Sequence, residues 1–223
     1  MEKIEAHTTA GLPFAASATL VSPPDPRKSF HFDGRTMPAG GGIGKLGKLT
    51  LSMWTKVDNL REQWTALLDT AGWDPGGFHC QYLQDGSLQA SFRTQDSAFD
   101  GHSSAMPGRS GDWRMVTVTY DTDAGLAAIY VNGVKDTEFE ISGGLPADLS
   151  NFTLGGWTAG ARRFHGRIAA VRLYDRVLSP AEVRDLLAGK AIVQPIAAWD
   201  FEPSSEKVVR DSTGHGHDLM VVQ

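Results

Sequence analysis

Residues Leu49 to Val57 read LTLSMWTKV. Apolar and polar side chains alternate along this stretch, with Leu49, Leu51, Met53, Thr55 and Val57 on one face, the period-two signature of a half-buried β-strand. The same signal recurs on both sides. Gly77 to Thr94 predicts a hairpin, FHCQYLQ and SLQASFRT around Asp85-Gly86, and Ile129 to Glu140 predicts another around Asn132-Gly133. Both dipeptides tolerate the positive φ of a tight type I′ turn. WRMVTVTY (113–120) and RIAAVRLY (167–174) are rich in β-branched and aromatic residues or alternate again, and both predict central strands.

One helix is expected. Ser179 is its N-cap, Pro180 opens it, Glu182 completes a capping box, Val183, Leu186 and Leu187 share a face, and Gly189 stops it. Such a short helix is expected across one end of the sandwich. Ser22 to Arg27, Met37 to Gly47 and Thr94 to Asp112 are read as loops from their proline, glycine and polar content. The 223 residues suit one large all-β domain, and 41% hydrophobic with 21% charged residues gives enough apolar material for a sizeable core.

The formal charge of −5, with no long Lys/Arg cluster, argues against nucleic acid as a partner. Cys80 is the only cysteine, so neither an intrachain disulfide nor a thiolate zinc framework is available, and it is expected as a small core residue. The start lacks the pattern of a secretory signal and no stretch is apolar enough to span a membrane, so the expectation is a soluble chain without a membrane partner.

The phrases FHFDG (30–34), LTLSMWTKV (49–57), WRMVTVTYD (113–121), IYVNG (129–133), FTLGG (152–156) and FHGRIAAVRLYDRVLSPAEV (164–183), in this order and spacing, resemble a laminin G-like domain of the concanavalin A-like lectin/glucanase group. The resemblance implies an all-β, concanavalin A-like antiparallel β-sandwich, or jelly roll, with one short helix in the C-terminal half. The tail AAWDFEPSSEKVVRDSTGHGHDL (197–219) resembles the phrase that opens such a domain, yet here it follows the helix. It is also similar to the region of the N,N-dimethylformamidase large subunit that precedes the catalytic domain. The expected organisation is one domain over 1–223, its sandwich completed by residues 191–223 together with Leu12 to Val21. The alternative is that 191–223 begins a following domain.

Hydrolases on this fold need paired carboxylates on one strand face. No Glu-x-Asp-x-Glu pattern occurs, and Glu138-Phe-Glu140 reads as a solvated strand edge. His79, Gln81 and Tyr82 invite comparison with lyase residues, but are read as alternate faces of one strand. His215 and His217 in DSTGHGHDL are read as a glycine-rich turn rather than a transition-metal site. Sandwiches of the resembling group often bind calcium, and Asp33, Asp200 and Asp211 are the candidate ligands. The resemblance also expects an acidic residue at the position of Ala169, and its absence counts against the ion, so the expectation is no cofactor with calcium as the alternative.

Among six tryptophans, Trp54, Trp113 and Trp199 fall inside strand patterns, whereas Trp64, Trp73 and Trp157 flank loops or strand ends. Trp73, with Asp74 and His102, is the candidate ligand site, because a rim aromatic can stack on a sugar while polar neighbours meet its hydroxyls. The functional expectation is a non-catalytic module of a larger protein that binds carbohydrate or another surface. A domain packing against a neighbouring catalytic domain is the first alternative, and a polysaccharide hydrolase or lyase the second.

Overall fold

Alternation of apolar and polar side chains makes each strand two-faced, and such strands are stable when two sheets bury their apolar faces together. The computed structural model of the chain describes residues 23–158, 161–190, 192, 194–201 and 207–223. Its first half holds β1 (Ser29–Asp33), β2 (Met37–Gly41), β3 (Lys45–Leu46), β4 (Lys48–Asn59), β5 (Trp64–Thr70), β6 (Phe78–Leu83), β7 (Leu88–Arg93) and β8 (Ala98–His102). There follow β9 (Arg114–Asp121), β10 (Leu126–Val131), β11 (Val134–Glu140), β12 (Ala147–Asp148), β13 (Asn151–Leu154), β14 (His165–Tyr174), α1 (Pro180–Leu187), β15 (Ala197–Trp199), β16 (Val208–Val209) and β17 (Leu219–Val222).

These form two large antiparallel sheets. The seven-stranded sheet runs β1-β14-β4-β9-β10-β11, with β15 also pairing β14, and the eight-stranded sheet runs β16-β17-β2-β13-β5-β6-β7-β8. β3 and β12 pair as a small ribbon. The main core lies between the large sheets. Leu49, Leu51, Met53 and Val57 enter it from β4, as the alternation predicts, and Phe78, Cys80 and Tyr82 enter it from β6. Thr55 is tolerated on that face because its hydroxyl hydrogen-bonds the Tyr82 hydroxyl at 2.7 Å.

The tail contributes to both sheets. Trp199 in β15 is fully buried against Phe152, ring centroids 5.7 Å apart, and its indole nitrogen donates to the His217 carbonyl at 2.8 Å. β17 pairs β2 through Met220↔Ala39, Val221↔Pro38 and Val222↔Met37. Residues Leu12 to Val21 lie outside the described residues.

Four local expectations are corrected. Met37–Gly41, read as loop, is a strand inside the eight-stranded sheet, and its glycines are there for lack of room. A Cβ at Gly40 would sit 2.3 Å from Leu219 Cδ2, and one at Gly41 would sit 2.1 Å from the Ser150 carbonyl oxygen. The polar stretch after Thr94 contributes β8, an edge strand whose half-buried Phe99 packs on the core. The Asp85-Gly86 turn is not type I′: Gly86 alone has positive φ, 93°, with Gly86 N donating to Leu83 O, the pattern of a type I turn with a bulge. Asn132 and Gly133, at φ 47° and 76°, do form the expected tight turn.

The helix also lies elsewhere than expected. It covers the outer face of the seven-stranded sheet, where Val183, Leu186 and Leu187 pack with Trp54, Met115 and Tyr130 in a second apolar cluster. The capping box is present: Ser179 Oγ accepts from Glu182 N, and the Glu182 carboxylate accepts from Ser179 N.

Candidate functional site

The outer face of the eight-stranded sheet is left open by α1, and the alternation that fills the core decides what lines it. Because Phe78, Cys80 and Tyr82 point inward from β6, His79 and Gln81 point outward together. The β6–β7 hairpin sets Gln81 opposite Gln89 and His79 opposite Ser91, and β8 places His102 beside Gln89 and Asp100 beside Ser91. On the other flank, β5 sets Asp69 beside His79 and β13 sets Thr153 beside Asp69. Two polar rows thus cross the sheet.

The segment between β13 and β14 lays an arginine over these rows. Arg162 has φ 61°, and its backbone N and that of Arg163 both donate to the Glu62 carboxylate, at 2.6 and 3.1 Å. Its carbonyl accepts from Ala66 N at 2.9 Å. The guanidinium is thereby held over the indoles of Trp157 and Trp64, 4.5 and 5.2 Å from their ring centroids. A single nitrogen, Arg162 Nη1, faces three acceptors: His79 Nδ1 at 2.8 Å, Gln81 Oε1 at 3.0 Å and Asp69 Oδ2 at 3.2 Å. Trp73 leans on the His79 ring, centroids 4.3 Å apart, and Trp157 fixes its own indole by donating to the Thr70 carbonyl at 3.2 Å.

The electrostatics follow from burial. Burial pushes the Asp69 carboxyl up to about 8, and the Arg162 charge beside it offsets only part of that rise. Asp69 Oδ1 is buried with no hydrogen-bond partner among the described residues. Burial, aided by the Arg162 charge, holds the His79 imidazole down to about 4. Neutral His79 fits its contacts, with Nδ1 accepting from Arg162 and Nε2 donating to the Gly72 carbonyl at 3.2 Å. Both nitrogens are thus engaged, which leaves His79 no free atom for proton transfer.

Trp73 and His102, predicted from sequence, both reach this face, Trp73 at the turn after β5 and His102 on the outermost strand. Trp73 is half-buried, less open than Trp64 at 36%. Asp74 lines a neighbouring cleft of about 150 Å³ with Thr70, Asp148 and Asn151. Arg162 and Asp69 escaped the sequence reading, since nothing local announces that a loop far along the chain folds back onto β5 and β6. His79 and Gln81 carried a readable signal: two polar residues at i and i+2 share a strand face, whereas Tyr82 belongs to the other.

The calcium candidates do not converge. Asp33 pairs with His165 at one end of β14, its Oδ1 accepting from Arg35 N, while Trp199, next to Asp200, pairs with Val171 farther along the same strand. Asp200 is salt-bridged to Arg172, and Asp211 holds its own turn by accepting from Ala198 N and Thr213 N. Among the described residues no three His, Cys, Asp or Glu side chains gather as a metal site. Ala169 is buried in the cluster beneath α1.

The chain spans 59% of the length of a Bacteroides ovatus protein designated a candidate carbohydrate-binding protein; that structure aligns with 87% of this chain at 17% identity and a TM-score of 0.67. A carbohydrate-binding module of family 40 from a Ruminococcus gnavus sialidase, bound to α2,3-sialyllactose, aligns over 73% of this chain and 98% of its own at 18% identity, TM-score 0.56. Domain 4 of an extracellular arabinanase from Geobacillus stearothermophilus, in complex with arabinotriose, aligns over 71% and 76% at 20% identity, TM-score 0.57. At these identities the likeness is one of fold. No curated protein sequence matches the chain. A family model described as the concanavalin A-like lectin/glucanases superfamily matches residues 33–184, beginning in β1 and ending in α1. With about two-thirds of its length so matched, the chain belongs to the laminin G-like family of that superfamily.

Proposed function

We propose that the chain is a non-catalytic carbohydrate-binding module that takes its glycan across the outer face of the eight-stranded sheet. The observation that carries this reading is the gathering of Trp64 and Trp157 on Arg162 and of Trp73 on its partner His79, on a face whose other outward side chains, Gln89, Asp100 and His102 among them, are polar. Indoles desolvate the apolar side of a sugar ring, and exposed polar side chains of the face, such as Asp100 and His102 on β8, meet its hydroxyls. Glycoside hydrolysis needs two accessible carboxylates facing one bond, and among the described residues in the rows of this face Asp100 on β8 is exposed whereas Asp69 is fully buried; Glu138 lies on β11 of the other sheet, paired with Lys135 at 2.9 Å. The role as an accessory part of a larger protein belongs to the same proposal and is supported by relatives that are modules of a sialidase and an arabinanase. The exposed large apolar residues are dispersed, with Trp64 beside Arg162, Met220 on β17 toward the far flank of the same sheet, and Met106 and Val134 elsewhere, which supports a ligand-binding face over a single packing surface.

The test is retention of the whole chain on a panel of neutral and acidic polysaccharides in affinity electrophoresis, followed by calorimetry on any hit. Binding that is lost in Trp64→Ala with the thermal transition preserved supports the reading. Absence of binding across the panel, or binding insensitive to Trp64 and Trp73, overturns it.

A further inference from the structure

Arg162 cannot accept a hydrogen bond, because a guanidinium carries donors only. That fixes the direction of a chain of side chains across three strands. Gln81 Oε1 lies 3.0 Å from Arg162 Nη1, so the amide turns its oxygen toward the arginine and its nitrogen away. Gln81 Nε2 donates across 2.6 Å to Gln89, which must answer with Oε1. Gln89 Nε2 is therefore the atom that lies 2.8 Å from His102 Nε2. An amide nitrogen donates, so His102 Nε2 holds a lone pair and the proton of the neutral ring is on Nδ1. Reversing either amide would set like against like at its contacts, and the mismatch would run back to Arg162, which cannot turn acceptor. Gln81 and Gln89 are 3% and 6% exposed, so bulk water is not at hand to relieve it.

We infer that His102 is a specificity-determining contact that presents Nδ1–H, always a donor, at the rim of this face, with Gln81 and Gln89 as the positioning residues behind it. The His102 residue is exposed and shares its row with Gln81 and Gln89. The ligand group that fits there is an oxygen acceptor, such as a ring oxygen, a carboxylate, an acyl carbonyl or a hydroxyl used through its lone pair. The tautomer stands on the hydrogen-bond chain alone; its use in recognition rests on the glycan reading above.

Long-range ¹H–¹⁵N correlation NMR of the full chain, at a pH where imidazoles are neutral, reads the tautomer directly, with His102 assigned from its missing signals in His102→Phe. The expected wild-type pattern is Nδ1–H. In Gln89→Glu, nearly the same shape, the carboxylate accepts from Gln81 and requires a donor from His102, so the pattern should switch to Nε2–H; Gln89→Met should release the ring from the Nδ1–H form. An Nε2–H pattern in the wild type, or an Nδ1–H pattern that survives Gln89→Glu in a folded variant, overturns the inference. On any glycan the wild type retains, Gln89→Glu and Gln89→Met should weaken binding about three- to ten-fold, the worth of one hydrogen bond. Unchanged affinity alongside the expected spectra removes the recognition role, and a failure of the wild type to bind any glycan removes the reading on which that role rests while leaving the tautomer result standing.

Discussion

Asp69 and His79 are neighbours with opposite debts to burial, and this gives the site a pH signature. Asp69 holds its proton up to about 8 in the fold against 3.8 for an ordinary aspartate, so its contribution to stability is complete below about 3.8 and disappears as pH rises to 8. His79 stays neutral down to about 4 against 6.5, so its contribution is present above 6.5 and disappears as pH falls to 4. From pH 6.5 to 8 only Asp69 of the two acts. The melting temperature of the wild type should fall across that interval relative to Asp69→Asn, and between 6.5 and 4 the variant should lose stability more steeply because the opposing aspartate is gone. Parallel curves for the two proteins would refute the Asp69 shift, and a variant whose stability does not fall between pH 6.5 and 4 would refute that of His79. Trp73 makes a different case, since its indole rests on His79 at the edge of the face. A stacked aromatic contributes ~1–3 kcal/mol per base in nucleic-acid sites. A sugar should give no more, so Trp73→Ala should weaken glycan binding by about ten-fold. Its melting temperature should change little, and a large drop in calorimetry would show that the ring serves the fold instead.

The helix and the hairpins were legible as elements because their signals are local. Ser179, Pro180 and Glu182 announce the capping box within four residues, and the structure reproduces it. Ser179→Ala should cost about 1 kcal/mol in a denaturant titration without altering ligand affinity, because α1 covers the sheet opposite the proposed site. An effect of that variant on glycan binding would place the ligand beside the helix. Where the sequence misled, the cause was long-range. Met37–Gly41 looks like a loop because glycine and proline weaken strands, yet Gly40 and Gly41 are required by Leu219 and by Ser150, residues far along the chain. The site divides the same way: the outward pairing of Gln81 with Gln89 follows from the hairpin, whereas Arg162 arrives over them from a loop whose destination no local pattern encodes.

At the scale of the molecule, the tail is tied to both sheets, β15 to β14 and β17 to β2, with Trp199 in the core between them. A chain ending at Lys190 loses these strands together with Trp199, a residue type whose truncation to alanine alone typically costs 3–5 kcal/mol. It should be insoluble or melt without a cooperative transition, and a normal melt would assign the tail to a separate unit. Calcium should matter little to the whole, because Asp33 sits beside His165 at one end of β14 whereas Asp200 and Asp211 flank Trp199, which pairs with Val171 farther along it. A melting temperature more than about 10 °C higher in millimolar calcium than in chelator would contradict this, because such a rise requires tight linkage between ion and fold.

Because β2 stands near the start of the described chain and waits for β17 near its end, the order of synthesis and the order of assembly cannot coincide. A ribosome adding ~5–20 residues per second takes several seconds to pass from Tyr174 to Val222. Through that interval β2 and the β15 side of β14 are unfilled edges, open to any other extended strand in reach. The newborn polypeptide is therefore most prone to pairing with the wrong partner in the seconds before its C-terminal strands emerge.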